Sequence, residues 1–222
     1  MRRAVIVGAT DFAEVAKVYL DADSPYTVCA FAVHERFIGE RKTLLGLPVV
    51  PFERLVESHP PGEYEAFVAI GFSKVNRIRT ELVAEATAKG YRLLTYVSTR
   101  ASHLGHFTIG ANSFVFEGNV IQPFVSIGDN TIVWSGNVLG HHSTIGDNCF
   151  LASNIVISGR CTIGDGSFIG VGATIRHGVT VGPGCVIGAG ALILEDTEPR
   201  GIYKAAGTPR ARLTSDRFRT FK

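Results

Sequence analysis

The sequence predicts two parts: a small parallel α/β unit in the first hundred residues, then a parallel β-helix of about five coils. Three observations carry this. Fifteen aliphatic residues stand six apart without a slip from Ile109 to Ile193. Over the same stretch the text nearly repeats itself every eighteen residues. Ahead of it, short apolar runs alternate with stretches of helical spacing.

The elements of the first part follow in order. Ala4-Val5-Ile6-Val7-Gly8 reads as a short buried strand, and Phe12 to Leu20 as a helix. Tyr26 to Val33 is a second apolar strand, Phe52 to Glu57 a short helix, and Ala66 to Gly71 a third strand. Lys74 to Lys89 is rich in Ala, Glu and Arg and stops at Gly90, as helices do. Tyr91 to Val97 is the last strand of this part. Strand and helix in alternation make a small Rossmann-like parallel sheet. Ser98 to Leu104 is the expected junction. The expected domains are 1–99 (α/β), 100–198 (β-helix) and a basic tail, 199–222.

A helix repeats near 3.6 residues and a strand near 2, so an unbroken six belongs to neither alone. It fits a chain that turns three corners per eighteen-residue coil and sends one aliphatic inward from each face. Segments such as Ile127-Gly128-Asp129-Asn130 and Ile145-Gly146-Asp147-Asn148 place Gly and Asn, which tolerate positive φ, at the corners. Parallel strands about 4.8 Å apart give five coils a length of roughly 24 Å. At about 1.5–3 kcal/mol per buried aliphatic, the column suffices for a core. A helical core fails, because glycines recur in every coil. Cys149, Cys161 and Cys185 fall at the fifth hexapeptide position, where Thr131, Ser143 and Ser167 also fall, and so read as packing thiols.

Composition removes several functions. The 222 residues carry a net charge of +2, which argues against nucleic acid as a partner. No apolar run reaches membrane-spanning length, so no membrane partner is expected, and Met1-Arg2-Arg3 leads into a strand rather than a signal peptide. Unpaired packing cysteines fit a reducing, cytoplasmic setting.

Chemistry can sit in two places. The first strand runs through Gly8-Ala9-Thr10-Asp11 into a helix, a turn that presents N–H groups to a phosphate. The G-x-G-x-x-G fingerprint is absent, since Gly8 alone remains. Gly71 ends the third strand, where ligands of open α/β sheets sit. In the prism, His141-His142 stands near a corner, with Gly159 one coil on and His177 two coils on. An imidazole can take a proton from an attacking amine or hydroxyl, and a glycine N–H can hold the oxyanion that forms. Vicinal histidines seldom converge on one ion, so no metal is expected at His141, His142 and His177. Seven Lys/Arg against one acid fill Arg200–Lys222; Lys204, Arg210 and Arg212 suit a phosphate-rich ligand.

The hexapeptide run resembles that of the left-handed β-helix acyltransferases. With Val7-Gly8-Ala9-Thr10, Phe67-Val68-Ala69-Ile70-Gly71 and the close Gly207-Thr208-Pro209-Arg210, the chain is similar to bacterial sugar acyltransferases. These include the sialic acid O-acetyltransferases and the nucleotide-amino-sugar N-acetyltransferases. The left hand comes from this resemblance alone, since parallel crossovers are generally right-handed. It implies a homotrimer with active sites in the clefts between prisms. Acetyl-CoA or another acyl-CoA would lie against Gly159, Ala189, Lys204 and Arg210. A nucleotide-linked sugar would bind at Gly8, Ala9, Thr10, Asp11 and Gly71. The family's catalytic histidine stands four residues before an Ile-Gly or Val-Gly corner. His141 fits that spacing, as does His177, and mid-prism His141 is preferred. Relatives commonly follow it with Glu or Asp; here His142 stands in that place, and Glu117 is one candidate for the orienting role. The implied reaction is acetylation of an amino group on a nucleotide-linked sugar. Its alternatives are O-acetylation of a sugar hydroxyl and a non-catalytic trimeric sugar-binding scaffold.

Overall fold

The computed structural model describes residues 1–40 and 42–210. Its first part is a five-stranded sheet ordered β3-β4-β2-β1-β5, formed by β1 (Arg2–Val7), β2 (Tyr26–Val33), β3 (Thr43–Leu44), β4 (Leu47–Pro51) and β5 (Tyr64–Val68). All pairs are parallel except β3 with β4. Helix α1 (Asp11–Asp23) follows β1, a single turn α2 (Leu55–Ser58) precedes β5, and α3 (Arg77–Ala88) follows it.

Three departures from expectation have local causes. The β3–β4 hairpin escapes notice because its turn is Leu45-Gly46, both at positive φ (46° and 77°). Such two-residue turns announce themselves when Asn or Asp leads, and leucine hides the signal. Helix α3 starts at Arg77 rather than Lys74, because Lys74, Val75 and Asn76 are all left-handed (φ 52°, 52° and 64°). Tyr91 to Val97 is not one strand. Leu93 makes a single bridge to Ala66, and Tyr96–Val97 pairs with Phe114–Val115 of the prism.

The prism has three faces of short parallel strands. The first runs from Ser102–His103 to Leu192–Ile193 in six strands, and the second from Phe107–Ile109 to Thr180–Val181 in five. The third runs from Tyr96–Val97 to Ile202–Tyr203 in seven. Registers such as Val120↔Val138, Thr144↔Thr162 and Phe150↔Phe168 are offset by one eighteen-residue coil. From Ile121 to Ile193 the inward aliphatics are buried. At fifth positions a hydroxyl ties coil to coil. Thr131 Oγ1 donates to Gly146 O (2.9 Å) and accepts from Cys149 N (3.0 Å), which is why the site takes only small residues. Cys149, Cys161 and Cys185 are buried and unpaired by disulfides.

Head and prism share one apolar cluster, in which Phe12 meets Phe67, Phe114 and Trp134. Trp134 therefore packs against the head. Asp23, at the end of α1, accepts hydrogen bonds from Tyr96 Oη (2.6 Å), Ser98 Oγ (2.9 Å), Thr99 N (3.0 Å) and Thr99 Oγ1. Burial raises its pKa, but the bonds from Thr99, Tyr96 and Ser98 outweigh that and hold it at about 2.

The second tie is Arg79 of α3, wholly buried against the corner between the second and third faces. Its guanidinium donates to the carbonyls of Asn130 (3.1 Å), Cys149 (2.9 Å) and Gly71 (3.1 Å) and to the Asn76 and Asn130 side chains. Burial lowers its pKa to about 10, so it stays cationic at neutral pH without a carboxylate partner. A ladder Asn112–Asn130–Asn148 runs alongside, capped by Thr80.

Candidate active site

The corner between the first and second faces stacks Pro123, His141, Gly159, His177 and Glu195, one per coil. His141 and His142 are both exposed, and Gly159 is buried beneath them. A Cβ on Gly159 would lie 2.6 Å from His141 Nε2, so the imidazole rests directly over the glycine. The His177 ring lies beyond, with centroids 6.0 Å apart. His141 N donates to Gln122 Oε1 at 2.8 Å, and His141 O accepts from Arg160 N at 2.8 Å, which fixes the backbone of this turn.

Burial sets the Gly159 N–H apart: the third-position N–H groups of Ser153, Val171, His177 and Ala189 also meet no acceptor among the described residues, but those residues are not buried. At the neighbouring corner the corresponding N–H groups of Ala111, Asp129 and Asp147 each meet an aspartate Oδ1 one coil on, at 2.7, 2.8 and 3.0 Å. Gly159 N–H meets no acceptor among the described residues. A buried donor without a partner costs about 1–3 kcal/mol, so a ligand oxygen placed there gains an interaction. An imidazole and an unpaired N–H thus adjoin one patch of corner.

The expected orienting carboxylate is not there. Glu117 lies on the corner between the third and first faces, where it accepts from Tyr19 Oη (2.7 Å) and Ser135 Oγ (3.0 Å). What touches His141 is His142, whose Nδ1 is 3.1 Å from His141 Nδ1. Ala189 is exposed on the same corner as Glu117, near Lys204, and Arg210 is exposed further along. These three do not meet His141 within one chain. Arg212 lies outside the described residues.

A cavity of about 630 Å³ opens at the carboxyl ends of β1 and β2, between Gly8, Ala9 and Thr10 on one side and α3 on the other. Gly8 has φ +130°, and a Cβ there would lie 2.7 Å from Ala69 O, so only glycine fits. Its N–H is already donated to Ala32 O (2.8 Å). The N–H groups of Asp11 and Phe12, at the start of α1, meet no acceptor among the described residues. That helix end is positive, and Thr10 just before it lines the cavity. Asp11 and Gly71 do not line the cavity; the Gly71 carbonyl is taken by Arg79. His34, Arg36 and Lys74 do line it, and sequence reasoning missed them. The signal for the first two was present, since they directly follow a strand whose carboxyl end faces the ligand side. His34 is held by Glu53 (2.9 Å) and Glu85 (3.3 Å).

Among the described residues no cluster of three or more His, Cys, Asp or Glu is arranged to hold a metal ion, and no helix is long and apolar enough to cross a membrane.

Comparison with known proteins agrees with this geometry. The model of the bacterial transferase hexapeptide (six repeats) matches residues 108–141, 142–177 and 160–195. The acetyltransferase domain of PglB from Neisseria gonorrhoeae is 26% identical, with a TM-score of 0.80 over 92% of this chain and 97% of that one. It has also been solved with acetyl coenzyme A. Perosamine N-acetyltransferase from Caulobacter crescentus, solved as a histidine-to-asparagine mutant with CoA and GDP-perosamine, is 28% identical. Its TM-score is 0.82 over 92% of this chain and 94% of that one. WeeI from Acinetobacter baumannii, at 22% identity and a TM-score of 0.76 over 93% and 98%, shares the fold. Curated protein sequences gave no significant match. Residues 108–195 thus carry the bacterial transferase hexapeptide repeat, and with its head-and-prism architecture the chain is similar over nearly its whole length to these left-handed β-helix sugar N-acetyltransferases.

Proposed function

We propose that the chain moves an acetyl group from acetyl-CoA to the amino group of a nucleotide-linked sugar, in the cytoplasm, with His141 as general base. The observation that carries this is the His141 imidazole lying over Gly159, whose N–H is unpaired. The neutral acceptor amine attacks the thioester carbon, and His141 Nε2 takes the proton it sheds. The carbonyl oxygen becomes an oxyanion at Gly159 N–H. The intermediate collapses, the C–S bond breaks, and the CoA thiolate leaves with the proton that His141 returns. The cavity beside Gly8, Thr10 and Lys74 is the proposed seat of the nucleotide, with phosphates near the start of α1. The relatives solved with acetyl-CoA, CoA and GDP-perosamine support this assignment.

A homotrimer completes the proposal. Ala189 and Lys204 stand on a different corner from His141, so a cleft with both sides present needs two chains. Val120, Val156 and Leu192, on the outward column of the first face, are exposed by 39%, 40% and 61%, apolar surface of the kind an interface covers.

Coenzyme A release from acetyl-CoA, measured with a panel of nucleotide-linked amino sugars and their hydroxyl counterparts, tests the reading. Turnover with the amino sugars is expected; turnover with the hydroxyl sugars alone replaces it by O-acetylation. Gly159→Ala offers a sharper check. Its Cβ displaces the flexible His141 ring rather than backbone, so the melting temperature should hold. A displacement near 1 Å costs about 10²-fold in kcat/KM. An unchanged kcat/KM would remove Gly159 from the site.

A further inference from the structure

We propose that His142 is a positioning residue: as a neutral hydrogen-bond acceptor it fixes the tautomer of His141. This rests on the general-base reading above. The two rings meet Nδ1 to Nδ1 at 3.1 Å with planes 87° apart. One nitrogen must carry the hydrogen and the other the lone pair. If His142 donated, the hydrogen of neutral His141 would sit on Nε2, over Gly159, and no base would face the acceptor. With His141 donating, Nε2 is bare, and His142 must be neutral with its own hydrogen on Nε2.

The turn holds His142 in that role. It occupies the left-handed corner (φ 60°), and its ring packs at 4.7 Å on Phe124, which is itself left-handed one coil earlier (φ 67°). The titratable and charged groups around the pair are few. His177 faces His141 from two coils on, His106 stands 6.4 Å from Phe124, and Arg160 bonds the His141 carbonyl through its N–H. None of the ion pairs among the described residues includes His141 or His142. A neutral acceptor orients the imidazole without adding the charge that would stabilise its protonated form.

The consequence is a split between two variants. His142→Asn keeps an acceptor oxygen at the δ position and suits a left-handed corner. It should retain most of the rate. His142→Phe removes the acceptor and should lower kcat by about 10–100-fold with KM for both substrates held, as losing a group that orients an imidazole does. Full activity in His142→Phe overturns the inference, as does a raised KM with kcat unchanged, or an Asn variant as slow as the Phe one. Loss of activity in His141→Ala beside a fully active His142→Phe refutes this inference alone. A fully active His141→Ala refutes the general-base reading as well.

Discussion

His141→Ala lowers kcat/KM by about 10²–10⁴-fold, the usual worth of one positioned proton transfer. The protein should fold as before, because the His141 side chain is exposed and lines no core. Some catalysis should persist, since Gly159 N–H and the binding of both substrates survive the change. His177→Ala is the control. His177 has the same spacing to its Val181-Gly182 corner as His141 has to Ile145-Gly146. Two features separate them: only His141 lies over the unpaired Gly159 N–H, and only His141 has an imidazole partner at Nδ1. The His177 variant should therefore keep most of its rate. A larger loss in His177→Ala than in His141→Ala would move the base to the other coil.

The largest effect on stability belongs to Arg79. Arg79→Met fills similar volume but withdraws the donors of the guanidinium, leaving the Asn130 and Gly71 carbonyls unpaired and the Cys149 carbonyl with Ile132 N–H alone. Each buried acceptor left without a donor costs about 1–3 kcal/mol, so two carbonyls together cost about 2–6 kcal/mol. For a chain of this size that lowers the melting temperature on the order of 10 °C. Arg79→Lys should recover little, because one ammonium cannot serve acceptors spread around a planar fork. Thermal denaturation followed by circular dichroism reads both. A loss below about 1 kcal/mol would show that the apolar cluster of Phe12, Phe67 and Phe114 and the Asp23 hydrogen bonds suffice to fix head to prism.

How much was legible in the sequence differs between the two parts. The prism was almost fully readable because its repeat is local: each inward aliphatic sets the next, and eighteen-residue arithmetic places Gly159 beside His141. The head was read strand by strand, but not where its chain breaks the rules. Leu45 in a left-handed hairpin turn and the left-handed run Lys74-Val75-Asn76 are choices that tertiary contacts impose. Asn76 donates to the Gly166 and Ser167 carbonyls of the prism, and Arg79 is buried there with it. No periodicity in α3 announces this, since an arginine on a helix ordinarily reads as solvated.

At the site, residue identities were legible and their pairing was not. His141 and Gly159 follow from the ruler. Glu117 was a reasonable orienting group by composition, but eighteen-residue counting puts it on another corner, where Tyr19 and Ser135 engage it. The Nδ1 to Nδ1 contact of His141 and His142 depends on side-chain rotation at a corner, which spacing does not encode. The lining residues His34, Arg36 and Lys74 come from loops whose course depends on the sheet order.

The central claim is that one reaction joins the nucleotide cavity of the head to the His141–Gly159 corner of a prism. A crystal structure with CoA and a nucleotide-linked amino sugar bound tests it most directly. The account predicts the sugar amine within hydrogen-bond distance of His141 Nε2, the CoA sulfur beside Gly159 N–H, and the nucleotide between Thr10 and Lys74 of the same or a neighbouring subunit. An amine seated away from His141, or a nucleotide bound outside the head cavity, would contradict it.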